Sequence, residues 1–285
     1  MAMHPAYRLL RPSVSAPLVC DSPHSGTHYP DDFQTVCSPL ALMTGEDRHV
    51  DELYADAPLH GAVLLCAEFP RTYIDVNRAV TEIDPLLLDA PWPGEIEETP
   101  RSRAGIGLVR RLLTPTTPMY DRPLSVTEIQ TRIQNYYIPY HTALKNILDE
   151  TYSAHGRVYH LNCHSMPSTN HFAGYLGRHT DFVLGDRDGT TSDIHFVYAL
   201  RSCLEDMGYS VAINDPYKGV ELVRRYACPA LNRHSVQIEI CRSLYMNEET
   251  GEKNKGFLGL KENINRLMRF CADYVTAERV PLAAD

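Results

Sequence analysis

The sequence has no CxxC pair, no membrane-length apolar run, no tandem repeat and no excess of basic residues. Each absence removes a class of protein. The eight cysteines (Cys20, Cys37, Cys66, Cys163, Cys203, Cys228, Cys241 and Cys271) lack the spacing of a zinc knuckle or a redox pair. Several lie inside apolar runs, as in Leu18-Val19-Cys20 and Leu64-Leu65-Cys66, which predicts buried free thiols of a reducing compartment rather than a disulfide frame. No apolar stretch approaches the ~20 residues of a transmembrane helix. Arg8, Arg11 and two prolines interrupt the amino-terminal segment, which has no apolar signal core, so a cytoplasmic protein without membrane partners is expected. A net charge of −9 argues against a general nucleic-acid binder, which needs a basic face. It leaves room for a small anionic substrate, because a local arginine cluster can sit inside an acidic protein. There is no HExxH, which excludes a zinc site carried on one helix.

The chain does have enough apolar residues, 44% of 285, for a sizeable core, and no Gly/Ser/Pro-rich linker divides it. One domain over residues 1–285 is expected. Short β-like runs recur at Ala16–Cys20, Ala62–Phe69, Arg157–Asn162, Asp181–Leu184, Ser210–Ile213 and Ser235–Cys241. Most are continuous apolar stretches, the signature of strands covered on both faces. Helical patterns fall between them: Asp47–Ala57, a run from Ser125 to Leu148, Thr191–Met207 and Phe257–Ala277. Ser125-Val-Thr-Glu128 reads as a capping box, and Pro139 should kink the helix that it opens. The alternation predicts an α/β fold, a three-layer αβα sandwich on a mixed, mainly parallel sheet. The Pro-, Glu- and Arg-rich segment Ile83–Pro123 reads as a long loop, a lid or partner surface.

Polar clusters follow these strands. They are Asp21–Gly26, Pro70-Arg71, Asn162–Ser165, Gly185–Asp188 and Asn214–Pro216, with Glu239 in or near the end of the last strand. Ligands gather at strand carboxyl ends in such sheets, so the placement predicts one shared site. His24, Asp47 and His164 make a credible two-histidine, one-carboxylate metal set. Each histidine alone reads first as a hydrogen-bonded structural residue, one of 13, and Asp47 equally as a helix cap. Glu239 lies in an apolar strand, which suits a general base or a structural ion pair. Arg71, the Asn77-Arg78 pair, and Lys218 with Arg224 suit carboxylate recognition or, more plainly, salt bridging with acids such as Glu221.

The ordered set of Asp21-Ser-Pro-His24-Ser-Gly26, Asp47-Arg-His-Val-Asp-Glu-Leu-Tyr54 and Arg71-x3-Asp75-Val-Asn77-Arg78 resembles the N-formylglutamate amidohydrolase family. So do Asn162-Cys-His164-Ser165, Lys218-Gly219 with Arg224 and Tyr226, and Gln237-Ile-Glu239 followed by Tyr245-Met246. The matches run from about residue 19 to about residue 248, most of the chain. The resemblance implies a fold like that of zinc exopeptidases and aspartoacylase. It implies one zinc on His24, Asp47 and His164, with Glu239 as base and Arg71, Asn77 and Arg78 as substrate or oxyanion groups. Ser165, Lys218 and Arg224 join the expected substrate contacts. The position three after His24 is Thr27, so the carboxylate ligand comes from further along, at Asp47 or Glu46. The implied reaction is hydrolysis of an N-acyl amino acid, foremost N-formyl-L-glutamate. A zinc deacylase of another N-acyl amino acid or small peptide, or a catalytically silent metal-binding protein, are the competing expectations.

Overall fold

Continuous apolar runs become strands buried on both faces. The computed structural model describes residues 5–169 and 180–277. Seven strands form one sheet: β1 (Tyr7–Leu10), β2 (Leu18–Ser22), β3 (Val63–Ala67), β6 (Val158–Met166), β7 (Phe182–Gly185), β8 (Val211–Ile213) and β9 (Arg233–Cys241). Between them in sequence, β4 (Leu112–Thr114) and β5 (Thr117–Pro118) make a separate two-stranded ribbon. The order across the sheet is β1-β3-β2-β6-β9-β7-β8. The four strands β3, β2, β6 and β9 run parallel, so their carboxyl ends meet at one edge. β1 and β7 are antiparallel to their neighbours β3 and β9, which makes the sheet mixed.

Helices α1 (Pro39–Met43), α2 (Val50–Leu53), α3 (Pro100–Arg103), α4 (Val126–Arg132), α5 (Ile138–His155), α6 (Ile194–Asp206), α7 (Glu221–Tyr226) and α8 (Phe257–Thr276) complete the fold. Side chains of α2, α6 and α8 join Leu18, Cys20, Leu161, Cys163, Val236 and Ile238 in one core. Side chains of α4 and α5, with those of the 83–124 segment, join Val19, Val63, Leu65 and Val158 in another. Successive strand residues face opposite ways. With Cys20, Leu161, Cys163, Ile238 and Ile240 committed to the first core, their neighbours Asp21, Asn162, His164, Gln237 and Glu239 face the α5 side. Register brings them level, Asp21 with Asn162, Asn162 with Gln237, and His164 with Glu239. No helix among the described residues is long and apolar enough to cross a membrane.

Several expected boundaries move. β6 continues past Asn162 to Met166, so His164 and Ser165 lie within the strand rather than after it. The helix expected over Asp47–Ala57 starts only at Val50, because His49 takes a left-handed φ of 65° and its ring bridges Glu52 and the Gly251 carbonyl. β7 was expected to deliver Gly185–Asp188 to the shared edge. Being antiparallel to β9, with Gly185 level with Gln237, it carries that segment towards the opposite end, and the parallel β8 follows it. The capping box forms as expected, with Ser125 Oγ accepting from the Glu128 amide. The irregularity at Pro139 is a π-helical turn over Ile133–Tyr137. Pro139 has no N–H for the carbonyl one turn earlier, and widening that turn accommodates its ring. All eight cysteines are free.

Candidate active site

Three residues from three segments meet at the carboxyl edge. His24 lies just past β2, Asp47 lies before α2, and His164 lies in β6. The His24 loop is placed by close backbone packing: a Cβ on Gly26 would fall 2.4 Å from the Phe69 carbonyl, so only glycine fits there. The Asp47 amide donates to the His24 carbonyl at 3.0 Å, which joins the second segment to the first. All three side chains are buried, and their ligand atoms lie within 4.8 Å of one another.

The rings are held so that both present Nδ1 to Asp47. His24 Nε2 is 2.7 Å from Asp75 Oδ1, and His164 Nε2 is 2.8 Å from Asn162 Oδ1. Their Nδ1 atoms stand 3.4 and 3.0 Å from Asp47 Oδ2. His24 Nδ1 is buried with no hydrogen-bond partner. A ring fixed through one nitrogen, with the other free beside a carboxylate, is the arrangement that metal-binding histidines adopt. Two imidazole nitrogens and one carboxylate oxygen fit a zinc-like ion with open coordination positions. Of Asp47 and Glu46, it is Asp47 that faces the two histidines. Glu46 turns away to Tyr29 and to Arg48 Nε.

Around this trio the charges are ordered by hydrogen bonds. Burial alone would raise the Asp47 carboxyl. The hydrogen bond with His164 and the nearby charges of His24 and Arg242 outweigh it and hold Asp47 well below the usual range. Arg242 reaches Asp47 Oδ1 at 3.0 Å and donates to Ser165 Oγ at 3.1 Å. Asp75 accepts from Arg71 Nη2 at 2.8 Å while holding His24, so one carboxylate positions both. Glu239 stands level with His164, and the Gln237 amide donates to its Oε1 at 2.7 Å. Burial pushes Glu239 up to about 7, with the Asp47 charge adding and His164, Arg71 and Gln237 opposing. That is the range in which a carboxylate exchanges protons near neutrality.

These groups line a cleft of about 600 Å³. His24, Arg71, Asn77, Arg78, His164, Ser165 and Glu239 are all on its walls. Asn77 spends its side chain on His164 Nε2 at 3.1 Å and the Leu222 amide at 2.9 Å. Lys218 and Arg224 are not among the lining residues. Lys218 pairs with Asp188 at 2.9 Å and Arg224 with Glu221 at 2.6 Å, both more than half exposed. The second carboxylate cradle expected from them is therefore not at the cleft, and Arg224 follows the plain salt-bridge alternative.

In the sequence, Asp75, Asn162 and Arg242 carry no signal of a site role beyond standing in or next to these motifs. Arg101 and Arg110 carry none either. Both come from the 83–123 segment, which is a packed wall rather than a free loop. Leu108, Val109 and Leu113 are buried in the core, while Arg101, Ile106, Arg110, Leu113 and Thr114 face the cleft.

The chain is similar in sequence and fold to known proteins. A family model described as N-formylglutamate amidohydrolase matches residues 16–246. The chain is 29% identical over 237 residues to an N-formylglutamate deformylase of Pseudomonas putida, covering 81% of this chain and 82% of that one. It is similar to the crystal structure of an N-formylglutamate amidohydrolase from Ralstonia eutropha JMP134, with a TM-score of 0.92 and 46% identity over 95% of this chain and 98% of that one. A gene product of Agrobacterium tumefaciens shares the fold, with a TM-score of 0.66 at 20% identity over 95% of this chain and 96% of that one.

Proposed function

Because the chain belongs to the N-formylglutamate amidohydrolase family, we propose that it hydrolyses N-formyl-L-glutamate to formate and L-glutamate at the His24–Asp47–His164 centre. The observation that carries the reading is the convergence of that trio with Glu239 on one buried edge of the sheet. The resident ion in this reading is zinc, held by His24, Asp47 and His164. It would supply Lewis acidity and lower the pKa of water towards ~7.

The chain's own residues do the rest. Glu239 takes a proton from the water that attacks the formyl carbon. Its raised pKa lets it hold that proton at neutral pH and then deliver it to the departing amine as the C–N bond breaks. Water adds across the amide, so the products are formate and the free amino acid. Arg71, fixed by Asp75 through two nitrogens, directs its guanidinium to the oxygen that gains charge in the transition state. One such donor typically contributes ~3–4 kcal/mol. Asp75 and Asn162 position His24 and His164, and Asn77 steadies the same corner. Arg78 lies in the cleft wall as a contact for the substrate's α-carboxylate. Eight free cysteines support a cytoplasmic setting.

Purified protein, assayed for metal content and for formate release, tests the reading. About one divalent ion per chain and release of formate from N-formylglutamate are expected. A metal-loaded protein that releases no acid from N-formylglutamate or from any other N-acyl amino acid would return the silent-binder reading. Hydrolysis of other N-acyl amino acids but not the formyl compound would favour a deacylase of different scope.

A further inference from the structure

Among the described residues, five arginines line the cleft: Arg71, Arg78, Arg101, Arg110 and Arg242. Three of them are already answered by the protein. Arg71 is paired with Asp75 at 2.8 Å and Arg242 with Asp47 at 3.0 Å. Arg78 lies 3.9 Å from Asp75 and donates to the Asn77 and Ile106 carbonyls. Arg110 differs. It makes no ion pair or hydrogen bond among the described residues, and its Nε is buried without a partner. Burial and the neighbouring Arg71 and Arg78 charges push its pKa down to about 9. A guanidinium kept in such a place is costly unless an anion joins it.

We infer that Arg110, with the more exposed Arg101 on the same wall, binds a second carboxylate of the substrate, the one at the end of its side chain. The inference rests on the hydrolytic reading above and assigns its selectivity. The wall has the right mixture for such a side chain. Ile106 and Leu113 flank Arg110 in the sequence and line the cleft with it, so methylene groups can lie against them while the carboxylate meets the guanidinium. Among the described residues the acids on the cleft wall are Glu239, bonded to Gln237, and Glu248, which accepts from the Ser168 amide at 3.1 Å. Neither is paired with Arg110. Lys218 and Arg224 are engaged elsewhere, so the second carboxylate has no partner from that side of the chain.

Paired substrates and a binding measurement test this. Wild-type protein and Arg110→Gln are compared on N-formylglutamate and on N-formylglutamine, which differ only in the terminal charge. The variant is expected to lose at least about 100-fold in kcat/KM on the acid and less than about 3-fold on the amide, since a polar group built for one partner discriminates strongly. Equal losses on both, or no loss on the acid, overturn the assignment. Arg110→Lys keeps the charge without the planar fork, and an intermediate loss confined to the acid is expected of it. It also serves if the glutamine variant does not fold. Binding of glutarate to metal-loaded protein is then measured by calorimetry without turnover. Glutarate affinity that falls at least about 10-fold in Arg110→Gln supports the site even if the wild type hydrolyses nothing, an outcome that would sink the proposed reaction alone. Equal glutarate affinity in both proteins overturns the site.

Discussion

Asp47 and Glu239 are both buried carboxylates beside His164, and they are driven in opposite directions. Asp47 has a hydrogen bond with His164, another from Arg242 and the nearby His24 ring, so it stays ionised. Glu239 has one amide donor and a neighbouring carboxylate, so burial dominates and its pKa rises to about 7. That difference suits Asp47 to the ligand role and Glu239 to the base role of the proposed reaction. Glu239→Gln is expected to keep its metal and lose at least ~100-fold in turnover, the usual scale for a general base. Metal content and formate release on the same preparation check it, and loss of the ion would make Glu239 a ligand instead. His24→Ala and His164→Ala are each expected to lose the ion, because three protein donors are needed to hold it. Full occupancy in both variants would refute the ligand set. Arg224→Lys is expected to leave KM for N-formylglutamate within about 2-fold of wild type, since Arg224 lies outside the cleft lining and lysine keeps its charge beside Glu221. A large rise in KM would bring Arg224 back to the substrate.

At the scale of elements, the join between α5, the 73–78 segment and α7 depends on a neutral histidine. His141 in α5 reaches the Val76 carbonyl through Nε2 at 2.9 Å and the Tyr226 hydroxyl through Nδ1 at 2.7 Å. A carbonyl only accepts, so Nε2 carries the proton and Nδ1 is the acceptor. Burial, with the Arg225 charge adding, pushes the His141 pKa down to about 4 from an ordinary 6.5. Between those values the unfolded chain binds a proton that the folded chain refuses. The stabilisation is therefore complete above about 6.5 and is lost as pH falls towards 4, on the order of 3 kcal/mol in all. Urea unfolding at pH 7.5 and pH 5.0 should show a smaller drop in His141→Gln than in the wild type. Equal drops would mean that other groups carry the acid sensitivity.

For the whole molecule, a net charge of −9 repels an anionic substrate at long range, while five arginines in one cleft attract it at short range. The Debye length is ~10 Å at 0.1 M salt, so the arginines are felt over the last steps of approach. We expect kcat/KM for N-formylglutamate to fall as ionic strength rises from about 20 to 300 mM, the direction set by local attraction. A rise with salt would show that the global charge dominates encounter. The sheet gives the cleft its polarity. Four parallel strands put His24, the Arg71 loop, His164 and Glu239 on one edge, whereas the antiparallel β7 turns its following loop away.

Much of this was legible in the sequence, because hydrophobic pattern is local. Continuous apolar runs marked all six expected strands near their observed places, whereas β1, Tyr-Arg-Leu-Leu, has its apolar run broken by Arg8. The alternation of Val236, Ile238 and Ile240 with Gln237 and Glu239 already put the base and its amide on one face. His24, Asp47 and His164 were readable as candidates because histidine and aspartate are conspicuous at strand ends. Strand direction was not readable, since a run such as Phe182–Gly185 looks the same whichever way it pairs. Partners were not readable either. Arg71-x3-Asp75 suggests its pair by spacing, but Asp75 with His24, Arg242 with Asp47, and Arg224 with Glu221 depend on where the segments finally lie. The choice of Asp47 over Glu46 turned on which neighbour faced the histidines, a matter of one loop's dihedral angles. The 83–123 segment shows the division most clearly. Its sequence has little period because it packs by irregular contacts, and only the folded chain brings Arg110 to the cleft, where it has no partner among the described residues.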